Sequence, residues 1–346
     1  MASKGIKDVA ARAGVSVGTV SNVLNRPHLV SESTRARVQA AIIELGFVRN
    51  ESARQLRAGR SRTIAYVLLD AGNPFFTDVA RGVEEVAKAH DLALILCNSD
   101  QDPVRERDYL DQLLEQRVRG VLITAVDYAG EQLRRLPERG VPVVLVDRAP
   151  GGSEDWCTVG VEDVEGGDLA VTHLIDQGHR RIAFAGGPPT LVQVADRLAG
   201  AERAVRQAGL PPETLTVLET AALNVAEGRR VGERIIGLPT RRRPTAVFCA
   251  NDLLALGVLQ HMTQHGIAVP GTMAIVGYDD IEFAAAAAVP LTSVHQPRHL
   301  LGRAAAELLL EEAESGPDHE HQHVQFTPEL IVRASSSAAR AVGRVG

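Results

Sequence analysis

The sequence predicts a small all-α helix-turn-helix domain, joined by a basic linker to a larger α/β core of two doubly wound parallel-sheet subdomains. Three observations predict it. Residues 6–25, IKDVAARAGVSVGTVSNVLN, carry apolar positions at helical spacing on either side of a glycine. Residues 1–62 hold eleven Lys or Arg against four Asp or Glu, a net of +7, which leaves −13 on the rest of a chain whose total is −6. From Ile64 onward, short apolar runs alternate with longer helical segments, and that alternation starts twice.

The first helix is set by Ile6, Val9, Ala10 and Ala13, and Gly14 permits the sharp turn that follows. Ser16 is a good N-cap for a second helix from Val17 to about Leu24, with Val20, Val23 and Leu24 on its buried side. Two short helices around such a turn match the motif whose second helix enters the DNA major groove, although a structural three-helix bundle would show the same spacing. The segregated charge favours nucleic acid, because Lys and Arg release condensed counterions from phosphates. A third helix is expected over residues 32–45, capped by Ser31 and ended by Gly46, with Val38, Ala41, Ile42 and Leu45 closing a small core. Residues 50–62, NESARQLRAGRSR, read as a polar, basic linker of weak helix-forming content with one exposed apolar residue, Leu56. That leucine is either an ordinary helix contact or a wedge of the kind that enters the minor groove between base steps.

In the core, IAYVLLD (64–70), LALILCN (92–98), GVLITAV (120–126) and VPVVLVD (141–147) are near-continuous apolar runs, as parallel strands buried on both faces should be. Helices over residues 76–90 and 106–116 separate them. RIAFAGG (181–187), a strand over 215–219, TAVFCAND (245–252) and MAIVGYDD (273–280) repeat the pattern. At 346 residues and 45% hydrophobic content the chain can build more than one core. The N-terminus has no apolar signal region and no run of about 18 apolar residues occurs, so a cytoplasmic protein without a membrane partner is expected. Cys97, Cys157 and Cys249 are few, odd in number and without metal-ligand spacing, and are expected as core residues.

Ligands of doubly wound sheets sit beyond the carboxyl ends of the strands. Polar residues gather there: Asn73 after the first strand, Asp147 and Arg148 after the fourth, Asn251 and Asp252 after a strand of the second half, and Asp279 and Asp280 after another. Arg197 lies near a helix start, and Gln296 follows the strand LTSV. Each alone reads as a turn former or helix cap. Together they supply carboxylates, amides and guanidinium groups suited to the hydroxyls of a sugar or nucleoside, with Phe75 or Phe76 able to stack on an apolar sugar face. No G-x-S-x-G elbow, Walker lysine or G-x-G-x-x-G loop occurs, so no enzyme and no cofactor is expected. HEHQH (319–323) would bind a metal in isolation, but its polar surroundings predict a solvated loop, and no metal is expected.

With IKDVAARAGVSVGTVSNVLN, ARQLRAGRSRTIAYVL, NPFF, VPVVLVDR, AND, VGYDD and LTSVHQP followed by LLGRAAAELLL, the chain resembles the lactose-repressor/galactose-repressor family of bacterial transcription regulators from end to end. The resemblance implies a repressor that is a homodimer on a pseudo-palindromic double-stranded operator, a hinge helix that folds on DNA, and a periplasmic-binding-protein-like core. It implies a helix-turn-helix domain over 1–49, a hinge over 50–61 and an effector-binding and dimerisation core over 62–334. Within that core it gives an N-subdomain of about 62–160 plus 294–322 and a C-subdomain of about 161–291 plus 323–334, followed by a disordered tail over 335–346. The DNA-contacting residues implied are Ser16, Val17, Gly18, Thr19, Ser21, Asn22 and Asn25, with Leu56 in the minor groove at the operator centre. Those implied for a small, sugar-like effector are Asn73, Phe75, Phe76, Asp147, Arg148, Arg197, Asn251, Asp279 and Gln296.

Two departures individualise the chain. Asn22 stands where many relatives have arginine after the Val-Ser pair, and Val17 and Gly18 precede it, so an operator unlike the common family sequence is expected. Asn pairs bidentately with adenine and Val packs on a thymine methyl. Leu223 stands where sugar binders often carry a stacking aromatic, so either Phe75 or Phe76 takes that role or the ligand is less flat-faced than a pentose. A nucleoside- or purine-type corepressor is the alternative effector, and a sugar-binding receptor without a DNA role is a further alternative.

Overall fold

Gly14 and Gly46 adopt φ of 62° and 59°, a left-handed conformation that glycine enters without steric cost, and each ends a helix of the N-terminal unit. The computed structural model describes residues 4–47, 61–126, 128, 130–148, 155–316 and 319–337. Residues 1–60 and 61–346 form two separate units. In the first, α1 (Ile6–Ala13), α2 (Val17–Asn25) and α3 (Glu32–Leu45) enclose Val9, Ala10, Ala13, Val20, Val23, Val38 and Ala41, the core read from the sequence. Ile42 and Leu45 pack on its rim. Ser16 caps α2 as expected, accepting from the Thr19 amide at 3.0 Å. Ser31 does not cap α3 through its hydroxyl, which donates to Thr34 Oγ1 at 3.0 Å. Residues 50–60 of the expected hinge, Leu56 among them, lie outside the described residues.

In the larger unit β1 (Thr63–Leu68), α4 (Pro74–Ala89), β2 (Ala93–Asn98), α5 (Pro103–Gln116), β3 (Val121–Ile123), α6 (Glu131–Glu138), β4 (Val143–Val146) and β5 (Cys157–Val161) build the first subdomain. The chain then crosses over. The second contains α7 (Asp163–Asp176), β6 (Ile182–Gly186), α8 (Val192–Gln207), β7 (Leu215–Glu219), α9 (Val225–Gly237), β8 (Ala246–Cys249), α10 (Asp252–Gln264), β9 (Ala274–Asp279), α11 (Glu282–Ala286) and β10 (Thr292–His295). Next, α12 (Arg298–Ser315) and β11 (His323–Phe326) return to the first subdomain, and β12 (Glu329–Ile331) ends in the second.

The sheet orders are β11-β5-β4-β3-β1-β2 and β12-β10-β9-β8-β6-β7. Strand for strand they follow one plan, in which β1 corresponds to β6 and β4 to β9. They differ at one edge, where β11 runs parallel to β5 and β12 antiparallel to β10. Inner strands are buried except at Thr63 and His295 at the ends of β1 and β10, as their apolar runs predict, but β2 and β7 are edge strands with exposed positions, Leu96 at 50% among them. An apolar run therefore overstates burial at a sheet edge.

Three boundaries are corrected. Residues 323–326, assigned above to the second subdomain, extend the first sheet, because β11 pairs with β5 in the register His323↔Thr158. Residues 294–295, assigned to the first, belong to β10 in the second sheet. The expected disordered tail begins too early. Ser335 is fully buried, its hydroxyl donating to the Ile275 carbonyl at 2.6 Å and accepting from the Thr292 amide at 2.8 Å, while Ser336 bonds the Thr292 hydroxyl at 2.6 Å. Small residues there serve close packing, a role that composition does not distinguish from disorder.

Helices seal the sheets through reciprocal glycines. A Cβ on Gly82 of α4 would overlap the His299 carbonyl of α12, and one on Gly302 of α12 would overlap the Val79 carbonyl of α4. The same exchange joins α7 and α8, where Gly167 meets the Arg197 carbonyl and Gly200 the Val164 carbonyl. Gly228 and Gly257 repeat it between α9 and α10. The first two pairs agree residue by residue, so Gly82 and Gly200 occupy equivalent places in the two subdomains.

Candidate functional site

On α2, Ser16, Val17, Gly18, Asn22 and Asn25 are exposed, and Thr19 and Ser21 are half-buried. Their chemistry separates them. Ser16 and Thr19 bond to each other at 2.9 Å within the cap, and Asn25 Nδ2 donates to the Ser21 carbonyl at 2.9 Å and hydroxyl at 3.2 Å. The Asn22 amide makes no side-chain hydrogen bond to another described residue, and Val17 is 41% exposed. Val17, the open backbone at Gly18 and Asn22 therefore form the outward face of the helix, the three positions that set this chain apart.

In the larger unit, a cavity of about 430 Å³, its open mouth included, lies between the two sheets beyond their strand ends. Asn73, Phe75, Phe76, Asp147, Arg197, Asn251 and Asp279 line it, seven of the nine residues expected there. Arg148 does not; its guanidinium stacks 4.5 Å over the Tyr128 ring. Gln296 is fully buried behind Asp279, donating to its Oδ1 at 2.9 Å. Sequence reasoning missed Gln193 and Gln101 as lining residues. Gln193 was within reach of the sequence, because it precedes Arg197 by four residues and so shares its helical face.

Each side chain serves the fold and the cavity together. Asn73 caps α4 by accepting from the Phe75 amide at 3.0 Å, and its Nδ2 crosses the cleft to Asp279 Oδ2 at 3.1 Å. Gln193 Nε2 crosses in the other direction to the Asp147 carbonyl and Oδ2, both at 3.1 Å. Each wall's aspartate thus accepts from an amide of the opposite wall. Asp147 and Asp279 stand at equivalent strand ends and both take positive φ, 59° and 100°, a strained backbone that persists where surroundings enforce it. Asn251 caps α10 through the Leu254 amide at 2.9 Å and donates to the Leu223 carbonyl at 3.1 Å. Asp252 and Asp280 are structural instead: Asp252 accepts from Ser293 and the Ile281 amide, and Asp280 pairs with Arg333 at 2.6 Å.

Arg197 is the charged centre. Its Nε donates to Asp163 Oδ1 at 2.7 Å, its Nη1 to the Ala250 carbonyl at 2.7 Å, and its guanidinium lies 3.7 Å over the Tyr278 ring. Burial opposes that charge, but Asp163, Tyr278 and Asp279 outweigh it and hold the guanidinium protonated. Burial, reinforced by Asp163, pushes the Asp147 carboxyl up to about 7. Burial also raises Asp279. Asp147 Oδ1 and Gln296 Oε1 are buried without a hydrogen-bond partner among the described residues. Of the two only Asp147 lines the cavity, and an unused acceptor there beside a fixed cation matches a ligand rich in hydroxyls, each of which donates and accepts.

Both units match known proteins. Residues 5–50 match the description "Bacterial regulatory proteins, lacI family", and residues 171–336 match "Periplasmic binding protein-like domain". The chain is 37% identical over 334 residues to the HTH-type transcriptional repressor PurR of Aliivibrio fischeri, covering 96% of this chain and 98% of that protein. It is 37% identical over 336 residues to the ribose operon repressor of Escherichia coli, covering 96% and 99%. A solved lac repressor dimer bound to operator and an anti-inducer superposes with a TM-score of 0.80 at 26% identity, covering 97% of this chain and all of that one.

Proposed function

This chain belongs to the lacI family of bacterial regulatory proteins, and we propose that it is a transcriptional repressor whose hold on a pseudo-palindromic operator is set by a small polar effector, a sugar or sugar derivative, bound between the core subdomains. As a member of that family it is a regulator and not an enzyme. The observation that carries the effector reading is the pair of bridges across the cleft, Asn73 to Asp279 and Gln193 to Asp147. A sugar hydroxyl donates to a carboxylate and accepts from an amide, so it replaces such a bridge without losing a hydrogen bond. The ligand then takes over what holds the two walls together. Coupling between such a site and DNA is typically about 1–3 kcal/mol and requires that the effector make different contacts in the two arrangements.

The name of the ribose operon repressor supports the sugar class, and the lac repressor dimer on operator supports a homodimer acting on a two-fold site. In this proposal α2 reads base edges, Leu56 wedges the minor groove at the operator centre, and the protein works in the cytoplasm. No described helix is long and apolar enough to cross a membrane. A thermal-shift screen of sugars, polyols and nucleosides, followed by operator binding with and without each hit, tests it. The expected hit is a sugar that raises the melting temperature and changes operator affinity by about 5–150-fold. A ligand that raises the melting temperature and leaves operator affinity unchanged overturns the regulatory link, and hits confined to nucleosides overturn the sugar class.

A further inference from the structure

HEHQH is largely the exposed loop that its composition predicts, but it does not stand clear of the fold. His323 opens β11, and half-buried His319 and exposed His321 both reach the sulfur at the start of β5. His319 Nε2 lies 3.0 Å from Cys157 Sγ, and His321 Nδ1 lies 3.7 Å from the same sulfur. Glu312, in the last turn of α12, completes the group, and one ligand atom from each of the four residues falls within 4.8 Å of every other. Glu312 Oε2 is buried without a hydrogen-bond partner among the described residues. Register explains the meeting. β11 pairs with β5 so that His323 faces Thr158, which brings the preceding residues alongside Cys157, and His319 and His321 are two apart, the period at which extended residues share a face.

We propose that Cys157, Glu312, His319 and His321 form a binding site for one borderline divalent transition-metal ion, Zn²⁺ foremost, at the edge of the first sheet opposite β2. One thiolate, two imidazoles and a carboxylate are the donor types such an ion takes, on bonds of about 2.0–2.3 Å in a tetrahedron. The ligand atoms of a tetrahedron of that size are separated by roughly 3.3–3.7 Å, so closing the present cluster needs adjustments of about 1 Å. The segment carrying the histidines is exposed at His321 and leaves room for that movement. The hard oxygen-only sets of Ca²⁺ and Mg²⁺ do not match a sulfur ligand. The bound ion ties the end of α12 to both β5 and the start of β11. β11 in turn ends at Phe326, whose carbonyl accepts from the Glu162 amide at 3.0 Å where two crossovers run side by side.

Co²⁺ titration of the full-length protein, stripped with chelator and kept reduced, reads the site directly. The expected result is one Co²⁺ per chain with a sulfur-to-cobalt charge-transfer band and intense tetrahedral visible bands, all displaced by Zn²⁺. Cys157→Ser abolishes the charge-transfer band. His319→Ala with His321→Ala, placed outside regular structure, weakens Zn²⁺ binding by more than the about 10–100-fold that loss of an outer-shell partner costs. The stacked pair of His261 on α10 and His265 just past its end, with ring centroids 4.2 Å apart, serves as the control. Its double alanine variant retains the spectrum. Absence of the charge-transfer band in the unsubstituted protein overturns the site, as does a band that survives loss of His319 and His321 or one that is lost with His261 and His265.

Discussion

Asp147 shows how one buried carboxyl couples site and stability. Its value rises from 3.8 to about 7 because burial, and then Asp163, disfavour the charge. An acid raised on folding contributes stability that is fully present below its unfolded value and is lost as pH climbs through its folded one. Without effector, the protein is therefore expected to lose melting temperature between pH 4 and 7 more steeply than Asp147→Asn, which keeps an acceptor for Gln193 and never ionises. Melting curves of both proteins across that range check this, and parallel curves contradict it. The same variant should bind effector more weakly, since one acceptor becomes a donor. On the DNA side, Asn22→Ala is expected to cost about 1–3 kcal/mol at a single base-pair position and to erase an adenine preference there. Selection from randomised half-sites before and after the substitution measures it; an unchanged preference shows that Asn22 does not read that base.

Between elements, the paired glycines set distances that side chains then exploit. α7 and α8 approach closely enough that Gly167 and Gly200 each abut a carbonyl of the other helix, and these helices carry Asp163 and the Gln193–Arg197 face. Gly200→Ala must push them apart. It is expected to destabilise by about 1–3 kcal/mol, as overpacking does, and to weaken effector binding in the same variant. Gly237→Ala, where an added Cβ meets nothing within 4 Å, should be near neutral in both. Urea unfolding and effector titration of the two variants side by side provide the measurement. If Gly200→Ala matches Gly237→Ala, the close approach is not what positions the cleft.

Across the whole molecule, what the sequence revealed followed from periodicity, and what it concealed followed from partnership. The helix-turn-helix core, the inner strands and seven cavity residues were readable because burial on both faces, caps and strand ends leave local signatures. The short edge strands β11 and β12 were not, since they derive their identity from a neighbour distant in sequence; among inner strands β5 was the exception, its apolar positions interrupted by Thr158 and Gly160. Ser335 looked like tail, and the loop residue His319 looked unpartnered, for the same reason: their partners, Ile275 and Cys157, lie 60 and 162 residues away. Gln193 was hidden less deeply, behind a spacing of four.

The matched frames of the two subdomains have a consequence for what the cleft distinguishes. Aligned on Gly82 and Gly200, Phe75 stands where the other wall has Gln193, and Val79 where it has Arg197. The frame is duplicated throughout and the lining only in part, at Asp147 and Asp279. Were the linings alike, an effector with hydroxyls at both ends would fit equally well either way round, and half of its binding modes would be wrong. At the first of these places one wall offers an aromatic ring and the other an amide, and only the second wall carries a guanidinium, so an effector meets different chemistry at its two sides. In the proposed reading, that asymmetry is what lets the cleft tell one side of an effector from the other.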